Sequence, residues 1–143
     1  MKISKLDQSY LDESVNLLSN LVKIESSDPP GNEKVIGNYL LKYLKKPYIK
    51  TDFDEFKKNR INLFSKIKGS GKKKGLIFSA HLDTMPVGKR KWIHNPFSAK
   101  IINNKLYGRG SSDMKSGISS MILAFKAIYD YKINLKGDLI LIL

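Results

Sequence analysis

Two short stretches of this sequence carry side chains whose types and spacing could do chemistry. The first is Ser79-Ala80-His81-Leu82-Asp83-Thr84, which continues the apolar run Gly75-Leu76-Ile77-Phe78. His81 is neutral at pH 7 and offers a ring nitrogen to a divalent metal. Asp83, two residues on, can accept the other ring N–H, which fixes the tautomer and raises ligand basicity. Alone, the pattern has a plainer reading as a polar pair at a strand end. The second stretch is Gly108-Arg109-Gly110-Ser111-Ser112-Asp113-Met114-Lys115. Its two glycines permit a tight loop with positive φ. Asp113, Ser111 or Ser112 could be no more than a helix N-cap. The functional alternative puts the Asp113 carboxylate beside His81, where it could bridge two cations as imidazole cannot.

The elements that must position these residues follow from periodicity. A first helix is expected from about Ser9 to Ile24, with Leu11, Val15, Leu18 and Val22 as its apolar stripe and Ser9 with Asp12 as a capping box. Asp28-Pro29-Pro30-Gly31-Asn32 breaks that pattern and caps a second helix, whose stripe is Ile36, Leu40, Tyr43 and Leu44 and which Pro47 stops. Strands are expected near Tyr48–Phe56 and Arg60–Ile67. Residues 75–80 have the composition of a buried strand. Residues 81–98 show no periodicity and form a long loop of the kind that tends to be functional. Asn103-Asn104 is a turn between two short strands. A third helix spans about Lys115–Tyr131, with Met114, Ile118, Met121, Phe125 and Ile128 facing the core, and Asp138–Leu143 is another buried strand.

Strand, loop, helix and strand in that order make a βαβ unit, hence two parallel strands and an α/β fold. In open α/β sheets ligands bind beyond the carboxyl ends of the strands, which is where His81 falls. The chain closes on Leu139-Ile140-Leu141-Ile142-Leu143 with no polar exit loop, which reads as a truncated protein.

Composition bounds the remaining classes. A chain of 143 residues suits one domain or part of one. It has no cysteine, so neither a disulfide framework nor a thiolate site is available. No apolar run can cross a bilayer, and Met1–Asp7 lacks the apolar core of a signal peptide, so a cytoplasmic address without membrane partners is expected. The formal charge is +13. Only Arg60, Arg90 and Arg109 are arginines, the lysines are scattered, and nucleic-acid readers lean on arginine, so no nucleic-acid partner is expected. Gly69-Ser70-Gly71-Lys72 fails the phosphate-loop pattern, because residue 66 is Lys rather than Gly. Gly110-Ser111-Ser112-Asp113-Met114 lacks the last glycine of a nucleophile elbow. His94 reads as a surface loop residue, and Trp92 and Tyr107 as packing aromatics.

His-Leu-Asp-Thr, then Trp92 and Pro96-Phe97, then Leu-Tyr-Gly-Arg-Gly-x-x-Asp-Met-Lys resemble, in that order, the acetylornithine deacetylase/succinyl-diaminopimelate desuccinylase family of co-catalytic metallohydrolases, which also holds aminoacylase and carboxypeptidase G. Ser27-Asp28-Pro29-Pro30-Gly31-Asn32-Glu33 looks like the family's Pro-Pro-Gly-x-Glu loop, and Asn59-Arg60-Ile61-Asn62-Leu63 like its Asn-bearing strand. Met85, Asn95, Asn104 and Ser116 depart from the family's usual residues without touching an expected ligand.

The resemblance implies a three-layer α/β/α zinc-exopeptidase-like fold with a mixed sheet, incomplete at the C-terminus. Residues 1–143 would be the N-terminal part of the catalytic domain, with the lid and dimerisation domain outside them. It implies a deacylase, desuccinylase or peptidase that cleaves N-acyl amino acids or short peptides through a metal-activated water. His81 would bind one of two divalent ions, zinc foremost with cobalt as substitute, and Asp113 would bridge both. Asp83 would be the catalytic-site carboxylate that orients His81. The family's Glu-Glu pair has no counterpart among Glu13, Glu25, Glu33 and Glu55, so this chain alone should be inactive. The full protein would be a homodimer. The rival readings are a non-catalytic remnant or interaction domain and, behind it, a basic nucleic-acid-binding domain.

Overall fold

The computed structural model describes residues 8–143, so the Met1–Asp7 segment lies outside the described residues. The order of elements is helix α1 (Gln8–Lys23), helix α2 (Glu33–Leu44), strands β1 (Ile49–Lys57), β2 (Arg60–Ile67), β3 (Leu76–Ser79), β4 (Lys100–Ile102) and β5 (Lys105–Tyr107), helix α3 (Ser116–Asp130) and strand β6 (Leu139–Ile142). Four strands make a mixed sheet in the order β1-β2-β6-β3, and β4 and β5 form a separate hairpin. The expected parallel pair is present, with Leu76 opposite Leu139 and Ser79 opposite Ile142. The other pairings, β1 with β2 and β2 with β6, are antiparallel. This is the mixed-sheet α/β class that the sequence implied. Asn103 and Asn104 both take positive φ, as a two-residue hairpin turn requires.

Period-two alternation decides which sheet face is covered. Ile61, Leu63, Leu139 and Leu141 point to one face and are buried against Leu17 and Leu21 of α1, Ile36, Leu40 and Leu44 of α2, and Ile118, Ile122 and Phe125 of α3. Each fully buried side chain of this size contributes about 1.5–3 kcal/mol. The opposite face carries Phe64, Ile77, Ile140 and Ile142, of which Phe64 and Ile77 are exposed. Among the described residues, then, the helices form one layer against one side of the sheet.

Three core assignments differ from the sequence reading. On α1 the buried residues are Leu17, Leu21 and Val22, while Leu11 is 58% and Val15 42% exposed. The helix carries two apolar rows, and α3 packs on the row that contains Leu17 and Leu21. Leu11, Val15 and Leu18 instead border a groove shared with Ile101 and Leu106 of the hairpin. On α3, Ile122 and Leu123 are buried and Met114 is not. Strand β3 has the apolar run of a buried strand but sits at the sheet edge, with Leu76 and Ile77 more than half exposed.

Helix α2 approaches β2 closely because residue 37 is glycine: a Cβ there would overlap Ile61 Cδ1. At the start of β6, Asp138 accepts the Gly69 N–H at 2.9 Å and pairs with Lys66 of β2 at 2.5 Å. The Lys66 hydrogen bond, and next the Gly69 N–H, hold the Asp138 carboxyl below its usual pKa.

Two outcomes follow. Gly37→Ala should destabilise the fold by about 1–3 kcal/mol through overpacking, and adding Ile61→Val, which removes Cδ1, should return part of that loss in urea melts. Because the folded Asp138 pKa is depressed, its contribution is complete above the unfolded value of about 3.9 and is lost as pH falls through the folded value. Asp138→Asn should therefore lower Tm at neutral pH and leave a shallower fall of Tm across the acid range.

Candidate metal centre

The segment that leaves α1 is the platform on which both chemical stretches rest. Beyond Lys23 the chain runs extended, and Ser27 forms a parallel bridge with Thr84. The Thr84 N–H donates to Ser26 O at 2.9 Å, and the Asp28 N–H donates to Thr84 O at 2.9 Å. The buried Ser26 hydroxyl donates to Leu82 O at 2.8 Å. These bonds continue the line of β3 past its last sheet partner and fix the backbone on both sides of Asp83, while the Ala80 N–H, donating to Ile142 O at 3.0 Å, fixes it ahead of His81.

The same segment holds the second stretch. Lys115 is 1% exposed, and its Nζ donates to Ile24 O at 2.7 Å. Burial pushes its pKa down to about 8, against the pull of Glu25. Residues 111–115 are an irregular turn: Asp113 and Met114 leave helical φ/ψ, and the peptide between them is cis. Asp113 is thus turned out of the start of α3 rather than capping it. Gly108 and Gly110 let this loop lie against its neighbours, since a Cβ on Gly110 would come within 2.5 Å of Thr84 Cγ2.

The result is a contact between residues 32 positions apart. His81 Nε2 lies 3.0 Å from Asp113 Oδ1. On its other side, Nδ1 lies 3.1 Å from the Asp83 carbonyl oxygen and 3.3 Å from Asp83 Oδ1. All three residues predicted for the site come together, and they line a cleft of about 470 Å³ with Met85, Arg109 and Ser112. His94 stands apart, edge-on to Tyr107 at 5.3 Å between centroids. Ser26, Thr84 and Lys115 were not singled out in the sequence. Of these only Lys115, inside the Asp-Met-Lys stretch, carries a usable signal.

The proton count at His81 bears on whether an ion fits. Both ring nitrogens face oxygen acceptors, and a neutral imidazole has only one N–H to give. Without a cation the arrangement calls for imidazolium. Partial burial works against that charge, but the Asp113 hydrogen bond, the Asp83 carbonyl and both carboxylates outweigh it and raise the pKa above the ordinary value. A cation held by Nε2 and the Asp113 carboxylate would remove the conflict, because both groups would then give electron pairs while Nδ1–H stays on Asp83. The nitrogen-and-carboxylate donor set suits a divalent transition metal. Among the described residues no three His, Asp or Glu gather closely enough to enclose an ion, so this is a partial donor set.

The imidazole and the two carboxylates gather beyond the carboxyl end of a parallel strand, where open α/β sheets bind ligands. Comparison with known proteins makes the assignment specific. Residues 77–143 match the model of peptidase family M20/M25/M40. The N-formyl-4-amino-5-aminomethyl-2-methylpyrimidine deformylase of Bacillus subtilis is 32% identical over 97% of this chain and 34% of its own length. The acetylornithine deacetylase of Aliivibrio salmonicida is 30% identical over 90% of this chain and 32% of its own. The crystal structure of an M20 family metallo-carboxypeptidase from Sulfolobus solfataricus superposes with a TM-score of 0.76 at 27% identity, covering 92% of this chain and 30% of that one. Through residues 77–143 the chain is similar to the M20/M25/M40 peptidase family, and it spans about a third of the length of the curated relatives it matches.

Lys115→Met should cost about 1–3 kcal/mol, the range for leaving a buried carbonyl without its donor. The same change should lower hydrogen-exchange protection at the amides of residues 84 and 115, since Ile24–Asp28 would lose its side-chain tie to the second stretch. A melt indistinguishable from the parent chain would show that the Ile24 contact carries no stability.

Proposed function

We propose that this chain supplies part of the metal site of an amidohydrolase that cleaves N-acyl amino acids or short peptides. The observation that carries the reading is the contact of His81 Nε2 with Asp113 at 3.0 Å, made by a ring whose other nitrogen also faces an acceptor. His81 and Asp113 would hold the ion, with Asp113 exposed enough to reach a second one. Bound divalent ions, zinc foremost, supply Lewis acidity toward a water and the scissile carbonyl.

Asp83 does not need to touch an ion. Its carbonyl and carboxylate hold the proton on Nδ1, keep the Nε2 lone pair aimed at Asp113, and make the ring a better donor. Ser111 and Ser112 flank the turn and keep the cleft polar beside Asp113. No glutamate lines the cleft. The group that moves the proton from water to the leaving amine would come from elsewhere in the protein, as would the remaining ligands, because a catalytic zinc takes three protein ligands.

Nothing in the described residues favours a nucleic-acid or membrane role over this reading. No helix among them is long and apolar enough to cross a membrane.

His81→Ala should abolish saturable zinc or cobalt binding and leave the far-UV spectrum of the chain unchanged, since the residue lies beyond the sheet. Asp83→Asn should keep binding but weaken it by about 10–100-fold, the range for a lost orienting partner. The 143-residue chain itself, loaded with zinc or cobalt, should turn over neither acetylornithine, succinyl-diaminopimelate nor simple dipeptides. Metal-dependent turnover by a preparation free of other hydrolases would contradict this and require a base within the chain.

A further inference from the structure

We propose that Arg60 is a positioning residue for the metal site: by clamping Asp28 it sets where Asp83 meets His81, and so how tightly an ion is held. The inference rests on the metal-site reading for what is being positioned, and adds to it a residue that lies outside the cleft.

Arg60 stands at the start of β2 and closes a network of two carboxylates. Its Nη1 binds Asp28 at 2.8 Å, and its Nη2 and Nε donate to Glu33 Oε1 at 2.7 and 3.0 Å. A lysine ammonium, a single point charge, does not reproduce this fork. The side chain is packed as well as paired. Its guanidinium carbon lies 5.8 Å from the Phe56 ring centroid, and a Cβ on Gly31 would come within 2.9 Å of its Cδ and Nε. As a device for stability alone the network is poor. Glu33 is 5% exposed, and among the described residues its Oε2 has no hydrogen-bond partner. An unsatisfied buried oxygen is costly, and buried ion pairs stabilise no better than well-packed apolar side chains. What the network supplies is position.

From Asp28 the line to the site is short. Among the described residues the Asp83 carboxylate meets only His81, with Oδ1 at 3.3 Å from Nδ1. Its place therefore comes from the backbone on either side. Leu82 is held through its carbonyl by the Ser26 hydroxyl at 2.8 Å. Thr84 is held by Ser26 O and by the Asp28 N–H, each at 2.9 Å. Both supports belong to residues 24–28, whose near end is tied by Lys115 at Ile24 and whose far end is tied by Arg60 at Asp28. Without the fork, Asp28 keeps its bond to Thr84 but loses the side-chain tie that fixes both to β2 and α2.

The test uses the chain with two variants. Arg60→Met removes the fork, and Asp28→Ala removes only its arm toward the site, leaving Arg60 paired with Glu33 so that no charge is buried alone. Zinc affinity is read by competition with a chromophoric chelator, at a temperature where each variant is folded by circular dichroism. We expect both variants to bind zinc about tenfold more weakly, the lower end of the range for losing an orienting partner. Arg60→Lys should recover only part of the R60M loss. Because Arg60 acts through Asp83, D28A/D83N should bind within about twofold of D83N. Gly37→Ala, destabilised elsewhere, should bind as the parent chain does. Unchanged affinity in D28A, or losses that multiply in the double variant, would overturn the inference, and D28A decides the matter if R60M fails to fold. In chelator, D28A should also speed amide exchange at Thr84 ahead of the amides that pair β2 with β6, and unchanged exchange there would overturn the inference whatever the zinc result. A parent chain that bound no zinc, or bound it equally after His81→Ala, would defeat the metal-site reading and this inference with it; parent binding left intact by D28A defeats this inference alone.

Discussion

The structure depends on one short stretch of backbone, residues 24–28, that is bonded on two sides. On one side the Ser26 and Asp28 backbone groups and the Ser26 hydroxyl hold Leu82 and Thr84. On the other the Ile24 carbonyl takes the Lys115 ammonium. The two chemical stretches are far apart in sequence, and each would be an exposed loop without this shared support. A buried lysine is a costly way to join segments, since desolvation opposes its charge. A charge-assisted bond to a buried carbonyl offsets that cost and sets a direction that apolar packing cannot. The stretch itself is anchored through Arg60, whose fork ties Asp28 to Glu33 at the start of α2.

The parallel pairing of β3 with β6 supplies the second constraint. Parallel neighbours require a crossover, and α3 must begin at the edge where β3 ends. His81 leaves that edge and Asp113 enters it, so topology brings the pair to the same place and residues 24–28 set their distance. The family match covers this βαβ unit, residues 77–143. The remainder of the chain contributes the α1 tail and the packing of α1 and α2 that supports it.

Much of this was legible in the sequence. β2 was read with its observed bounds, the parallel pair followed from element order, and His81, Asp83 and Asp113 were picked out as one site by the order of separated motifs. What was not legible has physical causes. Two apolar rows on α1 are equivalent to a periodicity argument, and only the position of α3 decides between Leu17 with Leu21 and Leu11 with Val15. An apolar run signals a strand but not its neighbours, so Leu76 and Ile77 read as buried although β3 lies at the edge. Serine, threonine and lysine gain their roles at Ser26, Thr84 and Lys115 from partners 56 to 91 residues away, and no local pattern records such partners.

The central claim is that the fold places the His81 Nε2 lone pair and Asp113 at one ion while Asp83 keeps the proton on Nδ1. Nitrogen-resolved NMR of the two histidine rings during zinc titration tests it most directly. The account predicts that the His81 Nε2 resonance shifts on coordination while Nδ1 remains protonated, and that His94 is unaffected until His81 is saturated. Coordination through Nδ1, or zinc binding first at His94, would contradict it.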